Sequence, residues 1–194
     1  MGIEYEWKYR ADPKSLEKIR GAYPGDWQKI SMETTYYDTP SGELSRLRYT
    51  LRRRMENEKS ICTVKTPSAD GGRGEWEIEE ASIEAAIPKL CKLGGPEELV
   101  ALTRDGVNAI CGAKFTRFAK TVDIGASVVE LALDQGVLIG GGQEIALCEA
   151  EVELKAGNLE AAAAYANLLA KKYGLVPESK SKFRRAQELA LEGK

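Results

Sequence analysis

The chain has 194 residues, 43% of them hydrophobic and 30% charged, with a formal net charge of −2. That suits one domain over residues 1–194, and so balanced a charge gives no bulk attraction to DNA or to anionic lipid. Histidine is absent, which removes Ser-His-Asp and Cys-His catalysis, histidine-ligated zinc and imidazole acid–base chemistry.

Residues 3–10 predict a strand in which Glu4, Glu6 and Lys8 share one parity and Tyr5, Trp7 and Tyr9 the other. Asp12-Pro13 then starts a helix that runs to about Ala22, with Asp12 as N-cap. A long strand follows from Trp27 to Asp38 and ends at the turn signal Thr39-Pro40-Ser41-Gly42. Residues 46–55 and 59–66 predict a hairpin, in which Arg48, Arg52 and Arg54 share a parity opposite to Leu47, Tyr49 and Leu51. Residues 68–74 predict a loop. The strand over 75–80 alternates Glu75, Glu77 and Glu79 with Trp76 and Ile78.

Ser82 caps a helix to about Leu93, and Pro96 starts another that ends near Gly106. Strands are predicted over 109–124, 127–135 and 144–155. The last alternates Glu149, Glu151, Glu153 and Lys155 with Ala150, Val152 and Leu154. Asn158 caps an alanine-rich helix ending at Gly174, and a final helix spans about Ser181 to Leu191. This order contains no βαβ repeat, so the fold class is α+β with a mostly antiparallel sheet of about eight strands.

The four cysteines (Cys62, Cys91, Cys111 and Cys148) are far apart and form no CxxC pair. They read as free thiols of a reducing cytosol. No apolar run approaches a membrane span, and no N-terminal stretch reads as a signal peptide, so the expected location is cytoplasmic. The glycines at 71–74 and 140–142 lack the Lys-Ser/Thr of a phosphate-binding loop.

A single charged strand face is an ordinary solvated surface. Four such faces need more explanation, because like charges side by side destabilise a sheet. Either each polar face looks at water, or the sheet curls so that charge lines a tunnel and helices cover the apolar outside. Glu130 and Asp134 have a parity that suits the interior or solvent. Arginines or oxygen-ligated divalent ions would relieve a row such as Glu149, Glu151 and Glu153, and oxygen-only ligands select Mg²⁺ or Mn²⁺. The same interior would hold Lys8, Arg48, Arg52, Arg54, Lys65 and Arg117, and such cations bind phosphate oxygens. Carboxylates for metal with cations for phosphate describe a metal–polyphosphate site.

Eight segments in order resemble one family. Glu4-Tyr5-Glu6-Trp7-Lys8 resembles the ExExK signature of the CYTH superfamily, the triphosphate tunnel metalloenzymes. Tyr36-Tyr37-Asp38-Thr39-Pro40 is similar to its YxDTP-type segment. Leu51-Arg52-Arg53-Arg54 and Val64-Lys65 resemble its LRxR and LK strands. Arg73-Gly74-Glu75-Trp76-Glu77 is similar to RxExE, Leu133-Asp134-Gln135-Gly136 to LDxG and Glu149-Ala150-Glu151-Val152-Glu153 to ExExE. Ser181-Lys182-Phe183-Arg184-Arg185-Ala186 resembles the C-terminal SKxxRA segment.

The resemblance implies an eight-stranded antiparallel β-barrel forming a charged tunnel, with helices packed outside. It implies metal-dependent hydrolysis of a triphosphate with Mg²⁺ or Mn²⁺, inorganic triphosphate being the first expectation. Thiamine triphosphate hydrolysis and class IV adenylyl cyclase activity are the alternatives, and a non-catalytic polyphosphate- or nucleotide-binding module is the third. Glu4, Glu6, Glu149, Glu151 and Glu153 are implied as metal ligands, and Glu75, Glu77, Glu130 and Asp134 as supporting carboxylates. Lys8, Arg52, Arg54, Lys65, Arg117 and Lys182 are implied to grip phosphates. Lys8, Glu4 and Glu6 carry the expected catalytic roles. The expected partner is a small triphosphate or nucleotide, with no DNA and no membrane, and a homodimer is allowed.

Overall fold

The computed structural model describes residues 5–67 and 73–192. Glu4 and most of the predicted 68–74 loop lie outside the described residues. In chain order the elements are β1 (Glu6–Arg10), α1 (Pro13–Ala22), β2 (Gln28–Asp38), α2 (Glu43–Arg46), β3 (Thr50–Glu56), β4 (Lys59–Pro67) and β5 (Arg73–Glu79). Then come α3 (Ile83–Lys92), α4 (Leu99–Leu102), β6 (Asn108–Ile124), β7 (Ser127–Gly140) and β8 (Gln143–Ala156). The chain continues with α5 (Leu159–Tyr173), β9 (Val176–Pro177) and α6 (Lys182–Glu192).

Each major outer helix begins where a side chain can close its first turn. Asp12 accepts from Ser15 N at 3.0 Å with Pro13 in the first turn, Ser82 accepts from Ala85 N at 3.2 Å, and Asn158 accepts from Ala161 N at 2.9 Å. These oxygens satisfy donors that have no partner within the helix. At the far end of α5, Gly174 takes φ 64°, the left-handed conformation that ends helices at little cost.

Antiparallel pairing joins the strands in the order β5-β4-β3-β2-β6-β7-β8-β1-β9. The eight expected strands are present, and the two-residue β9 adds a ninth beside β1. Among the described residues β5 and β9 are the two unjoined edges. The curled sheet therefore forms a trough-like tunnel whose seam lies between β5 and the β1–β9 pair.

Helices cover the convex face. Under α1 and α5 lie Tyr9, Leu131, Leu133, Ala150 and Val152, with Trp7 packed against them. Under α2, α3 and α4 lie Leu51, Cys62 and Val64, with Trp76 packed against them. Leu131, Val152 and Val64 are fully buried. Each such side chain contributes about 1.5–3 kcal/mol by leaving water. The apolar parity of each strand is thus the outside of the curl, and its charged parity is the hollow.

The last helix, α6, packs on the concave face. The Phe183 ring lies 5.0 Å from that of Tyr36, and Ala186 joins a cluster with Met32, Phe115, Leu138 and Leu147. Gly140 of β7 permits this approach, since a Cβ there would stand 2.3 Å from the Ala186 carbonyl oxygen. Two predicted elements are shorter than expected. The strand expected from residue 46 starts at Thr50, because α2 and a turn with Arg48 at φ 58° precede it. The helix expected over 96–106 contracts to the four residues of α4.

Candidate active site

A cavity of about 980 Å³ occupies the hollow. Its lining includes Glu6 and Lys8 from β1, Arg52 and Arg54 from β3, Lys65 from β4, and Glu75 and Glu77 from β5. Arg117 from β6, Glu130 from β7, Glu151 and Glu153 from β8, and Lys182 from α6 complete the charged wall. Strand parity delivers these groups: alternate residues point the same way, so a strand whose apolar residues meet the helices turns its charges inward. Arg48 does not join them, because it is exposed and outside the regular strand.

Register arranges the acids in rows. Glu6 pairs with Glu153, and Glu153 with Glu130, so three carboxylates stand side by side across β1, β8 and β7. The next inward row pairs Lys8 with Glu151, and the row beyond runs through Glu149, Asp134 and Arg117. The outer row is crowded with negative charge. Lys155 lies 2.8 Å from Glu153 and Lys8 lies 3.9 Å from Glu6. Glu6 keeps 49% of its side chain exposed, and the partial loss of water on its cavity side together with repulsion from Glu151 pushes its carboxyl above the usual glutamate value. Oxygen donors with this excess of charge suit a hard divalent cation, so the chemistry of the outer row fits the metal that the sequence motifs imply.

The basic wall lies on β3 and β4. Lys65 sits 2.9 Å and Arg52 3.4 Å from Glu75, while Arg54 pairs with Glu56. The Nε atoms of Arg52 and Arg54 are buried without a hydrogen-bond partner. Burial and the nearby guanidinium groups of Arg52 and Arg117 lower the Arg54 pKa. Unsatisfied buried donors in a cluster of like charge favour an anion between them.

The inner carboxylates are engaged differently. Lys182 Nζ lies 2.8 Å from Asp134, 2.7 Å from Glu149 and 2.6 Å from Glu151. Arg117 holds Asp134 bidentately at 2.8 and 2.7 Å and reaches Glu151 at 2.5 Å. Arg185 pairs with Glu149. Burial by itself would raise the Glu151 carboxyl, but Lys182 and Arg117 outweigh it and hold this acid well below the usual range. Likewise burial would lower Lys182, but Asp134, Glu151 and Glu149 hold its ammonium charged.

Of the residues expected in the site, Glu6, Lys8, Arg52, Arg54, Lys65, Glu75, Glu77, Arg117, Glu130, Glu151, Glu153 and Lys182 line one cavity. Asp134 and Glu149 are fully buried behind the wall, at the foot of α6. Sequence reasoning gave no role to Arg185, although Lys182 and Arg185 are three apart and so share a helix face. It also overlooked Tyr36, whose inward parity in the strand 27–38 was readable, and Glu56, which was expected in the turn but ends β3.

Similarity to known proteins follows the same outline. The CYTH domain matches residues 2–186. An inorganic triphosphatase of Haemophilus influenzae is 31% identical over 135 residues, which is 69% of this chain and 38% of that protein. A thiamine-triphosphatase of Macaca fascicularis is 34% identical over 101 residues, 51% of this chain and 43% of that protein. The matched regions thus span less than half the length of either relative. Solved structures share the fold: a Pyrococcus horikoshii protein has a TM-score of 0.61 at 21% identity, covering 95% of this chain and 98% of that one. A Hippeastrum protein, a candidate adenylyl cyclase described as having a dominant triphosphatase activity, has a TM-score of 0.62 at 18% identity, covering 100% of this chain and 97% of that one. With the domain matched from residue 2 to residue 186 on a sheet that curls around its own charges, this chain belongs to the CYTH family.

Proposed function

We propose that this chain hydrolyses the phosphoanhydride bonds of a triphosphate, inorganic triphosphate first, with Mg²⁺ or Mn²⁺. The observation that carries this is one cavity with walls of opposite sign. Arg52 and Arg54, each with an unpaired buried Nε, occupy one wall, and the row Glu6–Glu153–Glu130 occupies the other. The 31% identity to an inorganic triphosphatase supports the choice of substrate.

Phosphoryl transfer needs positioning and neutralisation of charge more than covalent chemistry. Arg52, Arg54 and Lys65 would hold the phosphate chain along the basic wall. Lys8, with its side chain 8% exposed beside the acidic row, would polarise the phosphoryl group under attack. Glu6, or Glu4 in the same motif, would orient the attacking water and take its proton. The outer carboxylates would hold the divalent ion, which when bound neutralises phosphate charge and withdraws electron density from the bond that breaks.

A second reading is hydrolysis of an organic triphosphate. The cavity has room beyond the charged rows, Tyr5, Trp7 and Leu159 also line it, and a thiamine-triphosphatase is 34% identical over part of the chain. The test is a panel of triphosphate, ATP, thiamine triphosphate and pyrophosphate, each with Mg²⁺, Mn²⁺ or chelator. Phosphate release from triphosphate that chelator abolishes is the expected result. Formation of cyclic AMP from ATP without phosphate release, or no turnover of any substrate, would overturn the reading.

A further inference from the structure

Two groups of carboxylates stand along the acidic side of the hollow, and they differ in what neutralises them. The outer row, Glu6–Glu153–Glu130, is met by the half-exposed Lys155 at Glu153 and, more loosely, by the buried Lys8 at 3.9 Å from Glu6. The inner set, Asp134, Glu149 and Glu151, brings oxygen atoms within 4.8 Å of one another. By spacing alone the inner set looks like the better metal site. Its charges, however, are already matched within the protein, since three carboxylates meet Lys182, Arg117 and Arg185.

Lys182 accounts for the position a metal ion would take. Its ammonium lies within 2.8 Å of one oxygen from each carboxylate and donates a hydrogen bond to Glu151 Oε1, while Glu149 Oε2 is buried without a hydrogen-bond partner and is met by the charge alone. Asp134 and Glu149 are wholly buried, so a divalent ion could reach them only by displacing Lys182. The helix that carries Lys182 is held in place by Phe183 against Tyr36, by Ala186 against Gly140, and by Gln187 Nε2 donating to Ser45 Oγ at 2.6 Å, so the ammonium is delivered to the cluster from a fixed backbone.

We propose that Lys182 is the resident cation of the inner cluster, that Asp134 and Glu149 are positioning residues which anchor α6, and that divalent ion is confined to the outer row. This rests on the metal-dependent reading above. It separates Glu149 from Glu153, although both belong to one alternating motif.

The test is titration of the full chain with Mn²⁺ in phosphate-free buffer, following unbound ion by electron paramagnetic resonance. One ion per chain is expected. Glu149→Gln should keep its affinity within about threefold, whereas Glu153→Gln should weaken it by about tenfold or more, the scale of losing groups that hold a metal. Lys182→Met should gain a second ion. Two ions on the unaltered chain, or Glu149→Gln weakening binding as much as Glu153→Gln, would overturn the inference, as would a folded Lys182→Met chain that still binds one. If Lys182→Met fails to fold, the unaltered stoichiometry and the Gln pair decide. An unaltered chain that binds no Mn²⁺ overturns the metal-dependent reading itself, and the inference with it.

Discussion

Replacing Lys182 with methionine removes one charge from a largely buried, balanced cluster and keeps about the length of the side chain. Asp134 and Glu149 are wholly buried and Glu151 nearly so. After the change, Arg117 and Arg185 remain to offset three carboxylates. Breaking a buried ion pair costs about 3–5 kcal/mol, mostly as the penalty of the charge left behind. The two surviving arginines put the expected loss near the lower figure. In a chain of this size about 3 kcal/mol lowers the melting temperature by roughly 6–12 °C.

Circular dichroism melts at neutral pH would read that shift. The pH dependence adds a second check. Lys182 and Arg117 hold the folded Glu151 carboxyl below its ordinary value of 4.5. That stabilisation is complete above the unfolded value and is lost as pH falls through the folded one. The methionine chain lacks the ammonium, so the gap between the two chains should narrow as pH drops below 4.5. A melting point within about 2 °C of the parent, or a gap that widens on acidification, would refute the account of the cluster.

Two further changes are expected. Arg54→Ala removes a guanidinium that lines the cavity; loss of a charge-assisted bond of about 1.5–3 kcal/mol should cut kcat/KM for triphosphate roughly 10- to 100-fold, and an unchanged value would remove Arg54 from the site. Cys62 and Cys111 are buried, and burial pushes their thiols up to about 11 and about 12. An aromatic disulfide reagent near pH 8 should therefore label neither until the chain is denatured, because the thiolate is the reactive form; mass spectrometry finding either labelled in the native protein would contradict this burial.

The architecture was readable where two signals coincided. In β1, β5 and β8 a run of alternating charge coincided with alternating large apolar residues, so parity assigned both faces at once. Asp12-Pro13, Ser82 and Asn158 marked helix starts because capping is local chemistry. The short α2 was not readable. Its start depends on Asp38 accepting from Leu44 N and Ser45 N, six and seven residues on, and no periodic pattern encodes that. The same detour left Arg48 outside the hollow, since parity orders residues within a strand but does not say where the strand begins. The extension of β7 past Gln135 was hidden by Gly136 and Gly140, which weaken a strand pattern that here makes room for close neighbours. The pairing of Lys182 with carboxylates was out of reach for another reason. A helix sequence shows which residues share a face, but not that this face will lie against the concave side of a sheet.

The order of the sheet sets a schedule for assembling the site. Most neighbouring strands are also neighbours in sequence, and β3–β4, β6–β7 and β7–β8 can zip from tight turns. β1 is different: its partner β8 is more than a hundred residues away, and that pairing sets Glu6 against Glu153 and Lys8 against Glu151. Closing so long a loop costs entropy before any contact offsets it, and distant pairings form slowly. The acidic row is therefore completed late in folding: a chain that has formed only its hairpins already sets Glu153 against Glu130 but still lacks Glu6 and Lys8.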